Sequence, residues 1–301
     1  MGADALPGAV APPDARLRGL GRLLRTRQWI KNVVCLAGVV LSGRVGVPGE
    51  DLRALAAVGV FCLAASAIYA ANDVAHAHLD RQHPLKRHRP VAAGVVAPAA
   101  ALGLSGVFGL GALAGAGALG SATLLIVALY LGLNTLYMFW LRAVALVDLL
   151  WLATSMTLRV LAGFTALRAS PSPSPWLLET VLLLAVLFSL RQRRGELTMA
   201  GPGVLAHRPG LRALTPEFVD QMSALVGGGV LVTYSLFAQM GPVLLRPLAV
   251  LLLLYALFRL SRLNLDRPDP YYSLLSDGPL LAMVAASGLW VLLAVYGPWG
   301  H

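Results

Sequence analysis

Charge is scarce in this sequence. Asp, Glu, Lys and Arg make up 13% of its 301 residues, against roughly 25% in a soluble globular domain. With 57% hydrophobic residues and a mean hydropathy of +0.73, the chain has too few polar groups to cover a water-facing surface. A soluble fold is therefore excluded. Acid is the scarcer sign: 14 Asp and Glu stand against 24 Lys and Arg, a net charge of +10. On a soluble protein that excess would point to nucleic acid. In a chain of many spans, basic loop residues set the orientation instead, and no nucleic-acid partner is expected. Cysteine is nearly missing. Cys35 and Cys62 lie in apolar runs without metal-ligand spacing, which leaves them as small core residues. Also missing is a signal peptide's order of short basic region, apolar region and cleavage site, so residues 1–27 read as a basic cytoplasmic tail.

What the sequence has instead is uncharged runs along its whole length. Nine read as spans, near 29–41, 55–71, 97–116, 122–140, 144–165, 176–190, 218–240, 243–258 and 274–295. The predicted fold is all-α: a multi-pass bundle of nine transmembrane helices in the cytoplasmic membrane, forming one domain over residues 28–301. With the amino terminus inside and the carboxyl terminus outside, 19 of the 24 Lys and Arg fall in inside segments and four outside, as the positive-inside rule requires. The third run is rich in glycine, from Gly103 to Gly117, and small residues in lipid mark a helix that packs closely. Unusual polar residues collect on the inside loops, so the active-site cleft is expected at the cytoplasmic face.

The second run ends in Asn72-Asp73-Val74-Ala75-His76-Ala77-His78-Leu79-Asp80. On a helix, Asp73 and Asp80 are two turns apart and nearly eclipsed, with His76 between them and Asn72 beside the stripe. Acids at the end of a span are expensive and usually functional. Oxygen ligands along one helix face suit Mg²⁺, which takes a carboxylate or two plus substrate phosphate oxygens. The stripe leads into a basic loop holding Arg81, Lys86, Arg87 and Arg89. Cations beside such a stripe fit a phosphorylated substrate, whose oxygens they share with the metal. His78, His83 and His88 form no metal set.

Asn-Asp, then Asp, then Arg-x-His-Pro-x-Lys-Arg-x-Arg-Pro-x-Ala-Ala-Gly resembles the first Asp-rich motif of the UbiA-type intramembrane prenyltransferase superfamily. Within it, the chain is most similar to the decaprenyl-phosphate phosphoribosyltransferase branch. Gln28 to Asn32, with Lys31, is similar to that branch's opening motif. So are Tyr137 to Arg142, Asp148 with Arg159 to Gly163, Arg193 to Leu197 with Glu196, and the stretch from Arg267 to Asp277. The resemblance implies nine helices and Mg²⁺ (or Mn²⁺) held by Asn72, Asp73 and Asp80, the catalytic group. It implies substrate contacts from Lys31, His76, Lys86, Arg87, Arg89, Tyr137, Arg142, Asp148, Arg159, Arg193 and Glu196. The donor in that branch is phosphoribosyl pyrophosphate, a soluble phosphorylated compound from the cytoplasm, and the acceptor is a polyprenyl phosphate in the bilayer.

One feature separates the branches. Prenyl-diphosphate users in the superfamily typically carry a second pair of acids one helical turn apart, whereas here Asp148 is followed four residues later by Leu152. The single acid favours phosphoribosyl transfer over transfer of an isoprenoid chain. The chain departs from the family pattern at His76, where the motif has an acid, at Arg142 in place of Lys, and at Gln192 before Arg193. A third possibility, a non-catalytic polyprenyl-phosphate binder or transporter on the same scaffold, would place ionisable groups near the midplane of inverted repeats. The sequence shows no such repeat.

Overall fold

The computed structural model describes residues 19–82, 86–141, 144, 146–169, 171–199, 214–266 and 276–297, and among these every regular element is helical. After a helical turn at 19–23, a 3-10 run (Thr26–Leu36) passes into the short helix α1 (Ala37–Leu41). Then come α2 (Glu50–Ala75), α3 (Ala77–Gln82), α4 (Pro98–Leu119), α5 (Ser121–Phe139) and α6 (Val147–Thr165). The chain continues through α7 (Pro175–Met199), α8 (Pro216–Phe237), α9 (Arg246–Asp266) and α10 (Gly278–Tyr296). Seven helices, α2, α4, α5 and α7 to α10, are long and apolar enough to cross a membrane, and α6 carries the shorter apolar stretch Leu149–Thr165. The first expected span corresponds to the 3-10 run and α1.

Two helices outrun the hydropathy that marks them. α2 continues to Ala75 rather than ending near 71, and α7 to Met199 rather than near 190. Backbone i to i−4 bonds do not need apolar side chains, so both helices carry polar motif residues past their apolar stretch. Starts are set by local chemistry. Thr215 caps α8 by accepting the Phe218 N–H at 3.2 Å, and Asp277 caps α10 by accepting the Leu280 N–H at 2.9 Å. Between α4 and α5 the chain turns on Gly120, whose φ of +143° is open to a residue without Cβ.

The chain divides into two compact units, one of Met1–Val33 with Ala56–Asn134 and one of Val34–Leu55 with Thr135–His301. In the first, α4 lies along α2. Gly109 faces Ala67, Gly111 faces Leu63 and Gly115 faces Val60, while Ser105 Oγ donates to the Ala67 carbonyl at 2.8 Å. The numbers run in opposite senses, so the helices are antiparallel, and the glycine-rich run supplies the close packing expected of it.

In the second unit, the end of the 3-10 run at Cys35 and helix α1 meet α6 at backbone level. A Cβ on Gly163 would lie 1.9 Å from the Cys35 carbonyl oxygen, and one on Gly38 2.2 Å from the Gly163 carbonyl. Helices α7 to α10 line a cavity of about 330 Å³ whose walls include Leu184, Phe188, Leu257, Leu280 and Val284. The buried Tyr234 hydroxyl faces this lining and has no hydrogen-bond partner among the described residues.

Candidate active site

Asn72 and Asp73 stand in the last turn of α2, His76 forms a turn, and Asp80 lies in α3. The break is slight. His76 N–H donates to the Asn72 carbonyl at 3.1 Å, and Asp80 N–H donates to the His76 carbonyl at 2.9 Å. The helical path therefore continues, and Asp73 and Asp80, two turns apart, stay on one side. Both are buried, with 1% and 4% of their surface exposed. Buried acids need cationic partners, and the site supplies two. Arg89 Nη1 lies 2.6 Å from Asp80 Oδ2 and 3.5 Å from Asp73 Oδ1, bridging the pair. Arg25 forms a second ion pair with Asp73 Oδ1.

The loop that presents Arg89 is folded by its own sequence. Val95 and Val96 N–H both donate to the Pro90 carbonyl, and Gly94 takes φ +72°. This turns Val91 and Val96 onto Leu23, Ala70 and Ala101 in one apolar cluster. Arg81 Nε donates to the Ala92 carbonyl at 3.3 Å and ties the loop back towards α3.

Arg25 arrives from the amino-terminal segment, which docks along one face of α2. Asn32 Nδ2 donates to Cys62 Sγ at 3.3 Å, and Trp29 Nε1 to Ser66 Oγ at 3.1 Å. Ser66 Oγ in turn donates to the Leu24 carbonyl at 3.1 Å. The Arg25 guanidinium lies 4.9 Å above the Tyr69 ring, within cation–π range. Cys62, Ser66, Tyr69 and Asp73 fall on one helical stripe, and the segment meets them in reverse order. At Arg25 the backbone is left-handed, φ +49°, which costs a residue other than glycine about 1–2 kcal/mol. The ion pair and the ring contact lie at this strained residue.

The other expected site residues are placed as follows. Lys31 and Lys86 are half-buried, and Arg87 is exposed with Nε 3.4 Å from His88 Nε2. In the second unit Tyr137 stacks on Trp151, with centroids 5.8 Å apart and planes at 11°. Arg159 is buried and donates to the Ser155 carbonyl at 2.6 Å and to its Oγ at 2.8 Å. Arg193, also buried, pairs with Glu196 at 2.6 Å, and its neighbour Arg194 holds Asp220 at 3.0 Å. Arg142 and the side chain of Asp148 lie outside the described residues, as does 267–275 of the last expected loop. The first unit thus gathers Asn72, Asp73, Asp80 and Arg89, and the second gathers Arg193 with Glu196. Arg25 is the addition. In the sequence it is one of several tail arginines, and nothing local sets it apart from Arg22 or Arg27, both exposed here.

Among the described residues no three His, Cys, Asp or Glu side chains form a metal-holding group. What converges is two carboxylates sharing one guanidinium; the preceding residue, Asn72, has a buried Oδ1 that accepts no hydrogen bond among the described residues. Mg²⁺ asks for little more, since water and substrate phosphate usually complete its octahedron. Arg89 already places positive charge between the carboxylates, and an all-oxygen set suits a hard divalent ion. The residues present fit such a cation.

Seven long apolar helices define a multi-pass membrane protein, and it carries a buried acid pair answered by arginines. Residues 32–277 match the UbiA prenyltransferase family, and the chain belongs to that family as an integral membrane transferase. It is 32% identical to a decaprenyl-phosphate phosphoribosyltransferase of Mycolicibacterium smegmatis, over 79% of this chain and 75% of the relative. A Corynebacterium glutamicum protein of the same name is 28% identical over 95% of this chain and 89% of its own. Among solved structures, a UbiA homolog from Archaeoglobus fulgidus bound to GPP and Mg²⁺ superposes with a TM-score of 0.68 at 16% identity, covering 92% of this chain and 99% of that one. The superposition shows the shared fold.

Proposed function

We propose that the chain is a Mg²⁺-dependent transferase that moves 5-phosphoribose from phosphoribosyl pyrophosphate to a polyprenyl phosphate and releases diphosphate. The observation that carries this reading is the buried Asp73–Arg89–Asp80 arrangement at the end of α2. It pairs metal-type oxygens with cations, as a diphosphate leaving group requires. The choice of donor is supported by the names of the relatives and by the single acid at Asp148, with Leu152 one turn on.

Asn72, Asp73 and Asp80 would hold the cation. Bound there, it would neutralise charge on the departing diphosphate. Lys31, Lys86, Arg87 and Arg89 would take the remaining phosphate oxygens, and His76, Tyr137, Arg142, Asp148, Arg159, Arg193 and Glu196 would position the two substrates. The bond from the anomeric carbon to the diphosphate oxygen breaks, and a lipid phosphate oxygen forms the new bond to that carbon. The attacking phosphate is already anionic, so no side chain has to act as a strong base. Fixed cations serve this step because the charge they meet grows as the diphosphate leaves. The apolar cavity of the second unit suits a lipid chain.

We also place the protein in the membrane with nine spans, amino terminus in the cytoplasm and carboxyl terminus outside. The split of basic residues supports this, as do the seven apolar helices together with α6 and the 26–41 segment. The deciding experiment offers radiolabelled phosphoribosyl pyrophosphate and prenyl diphosphates separately to membranes containing the chain. Label from phosphoribosyl pyrophosphate is expected in a polyprenyl-phosphate product, in a Mg²⁺-dependent way. Label incorporated only from a prenyl diphosphate would establish isoprenoid transfer instead, and none from either donor would favour a binder without catalysis.

A further inference from the structure

Asp73 is contacted by two guanidiniums that reach it from opposite directions along the chain. Arg25 comes from the docked amino-terminal segment and Arg89 from the loop after α3. The two arginine side chains are each 25% exposed, while the carboxylate they hold is 1% exposed. The carboxylate is thus more enclosed than either arginine that holds it.

The two are not equivalent. Arg89 has Asp80 as a second and closer partner, 2.6 Å against 3.5 Å to Asp73. Arg25 contacts Asp73 and the face of the Tyr69 ring. The ring gives its guanidinium a resting place beside the site once the carboxylate is lost.

We propose that Arg25 is an exchangeable counter-ion: it holds Asp73 in the empty site, yields it to the divalent cation, and passes to the donor's diphosphate. The inference rests on the reading of Asn72, Asp73 and Asp80 as the cation site. Its physical basis is the repulsion between a guanidinium and a divalent ion sharing one carboxylate oxygen, which is strong where water is excluded. Asp73 Oδ1 already carries both arginine contacts, so a cation bonding to that oxygen competes with both guanidiniums for it. The displaced guanidinium then stands free next to the metal, where the diphosphate brings anionic oxygens that guanidinium binds well. The empty site is balanced, two carboxylates against two guanidiniums; the cation adds positive charge, which the anionic diphosphate then offsets. Arg25 would thereby set how readily metal binds before the donor and how tightly the donor is held after it.

The test uses the full chain in lipid nanodiscs. Mn²⁺ is the probe, followed by electron paramagnetic resonance, with inorganic diphosphate standing for the leaving group. Arg25→Met keeps the apolar stem and removes the charge. It is expected to bind Mn²⁺ about tenfold more tightly than wild type, while the KM for phosphoribosyl pyrophosphate rises and Arg25→Lys stays nearer wild type in both. Wild-type protein gives an independent reading through arginine-directed labelling with phenylglyoxal, mapped by mass spectrometry. Labelling of Arg25 is expected to rise with Mn²⁺ alone and to fall again with Mn²⁺ plus diphosphate. Unchanged or weaker Mn²⁺ binding in Arg25→Met, or Arg25 labelling that ignores Mn²⁺, would overturn the exchange while the metal site stands. No Mn²⁺ signal that depends on Asp73, in wild type or either variant, would overturn the metal site and the exchange with it.

Discussion

At the scale of single residues, the site turns on two carboxylates that remain buried because arginines answer them. Leaving such a charge without a partner is strongly destabilising, and the structure gives Asp73 two guanidiniums and Asp80 one. Asp73→Ala or Asp80→Ala is therefore expected to lower phosphoribosyl transfer by orders of magnitude, since a metal's charge stabilisation is worth several kcal/mol. Radiolabel transfer at saturating donor measures this, with size-exclusion profiles to show that the variants fold. Full turnover in both would remove these residues from the site. The two acids are legible in the sequence because a carboxylate next to an apolar run is rare. Arg25 is not, because its role depends on a helix face that the sequence does not display beside it.

At the scale of elements, three glycines that look alike in sequence differ in what they face. Alanine at Gly163 would drive its methyl against the Cys35 carbonyl, a backbone atom that cannot rotate away, at an expected cost of about 3 kcal/mol. At Gly115 the obstacle is Val60 Cγ2, 2.9 Å from the added Cβ. That is the end of a side chain, and the cost should stay near 1 kcal/mol. Around Gly103 nothing lies within 4 Å, so alanine there should stabilise the helix by about 0.5–1 kcal/mol. Thermal unfolding in one detergent should rank Gly103→Ala at or above wild type, then Gly115→Ala, then Gly163→Ala well below. A Gly163→Ala protein as stable as wild type would contradict the close approach. Within the motif around Arg159 and Gly163, the structure gives Gly163 a packing role, and Arg159 donates to Ser155 one turn back in its own helix.

At the scale of the whole molecule, the charge split predicts where the ends lie. A reporter fused after His301 is expected to be active only outside the cytoplasm. Activity inside would mean an even number of spans and would move one of the loops assigned to the site to the other face. The sequence by itself determined the all-helical membrane class, seven of the apolar helices, and the acidic stripe with its basic loop. Hydropathy, helical spacing and a rare charge beside an apolar run are all local properties, readable within a few turns of chain. Only the tertiary structure decided that Arg89 bridges the two acids, that Arg25 reaches Asp73 across 48 residues of chain, and that Arg87 faces out. The physical reason is that an ion pair is chosen by distance in space, and among many similar arginines only the packing of the amino-terminal segment along α2 sets that distance.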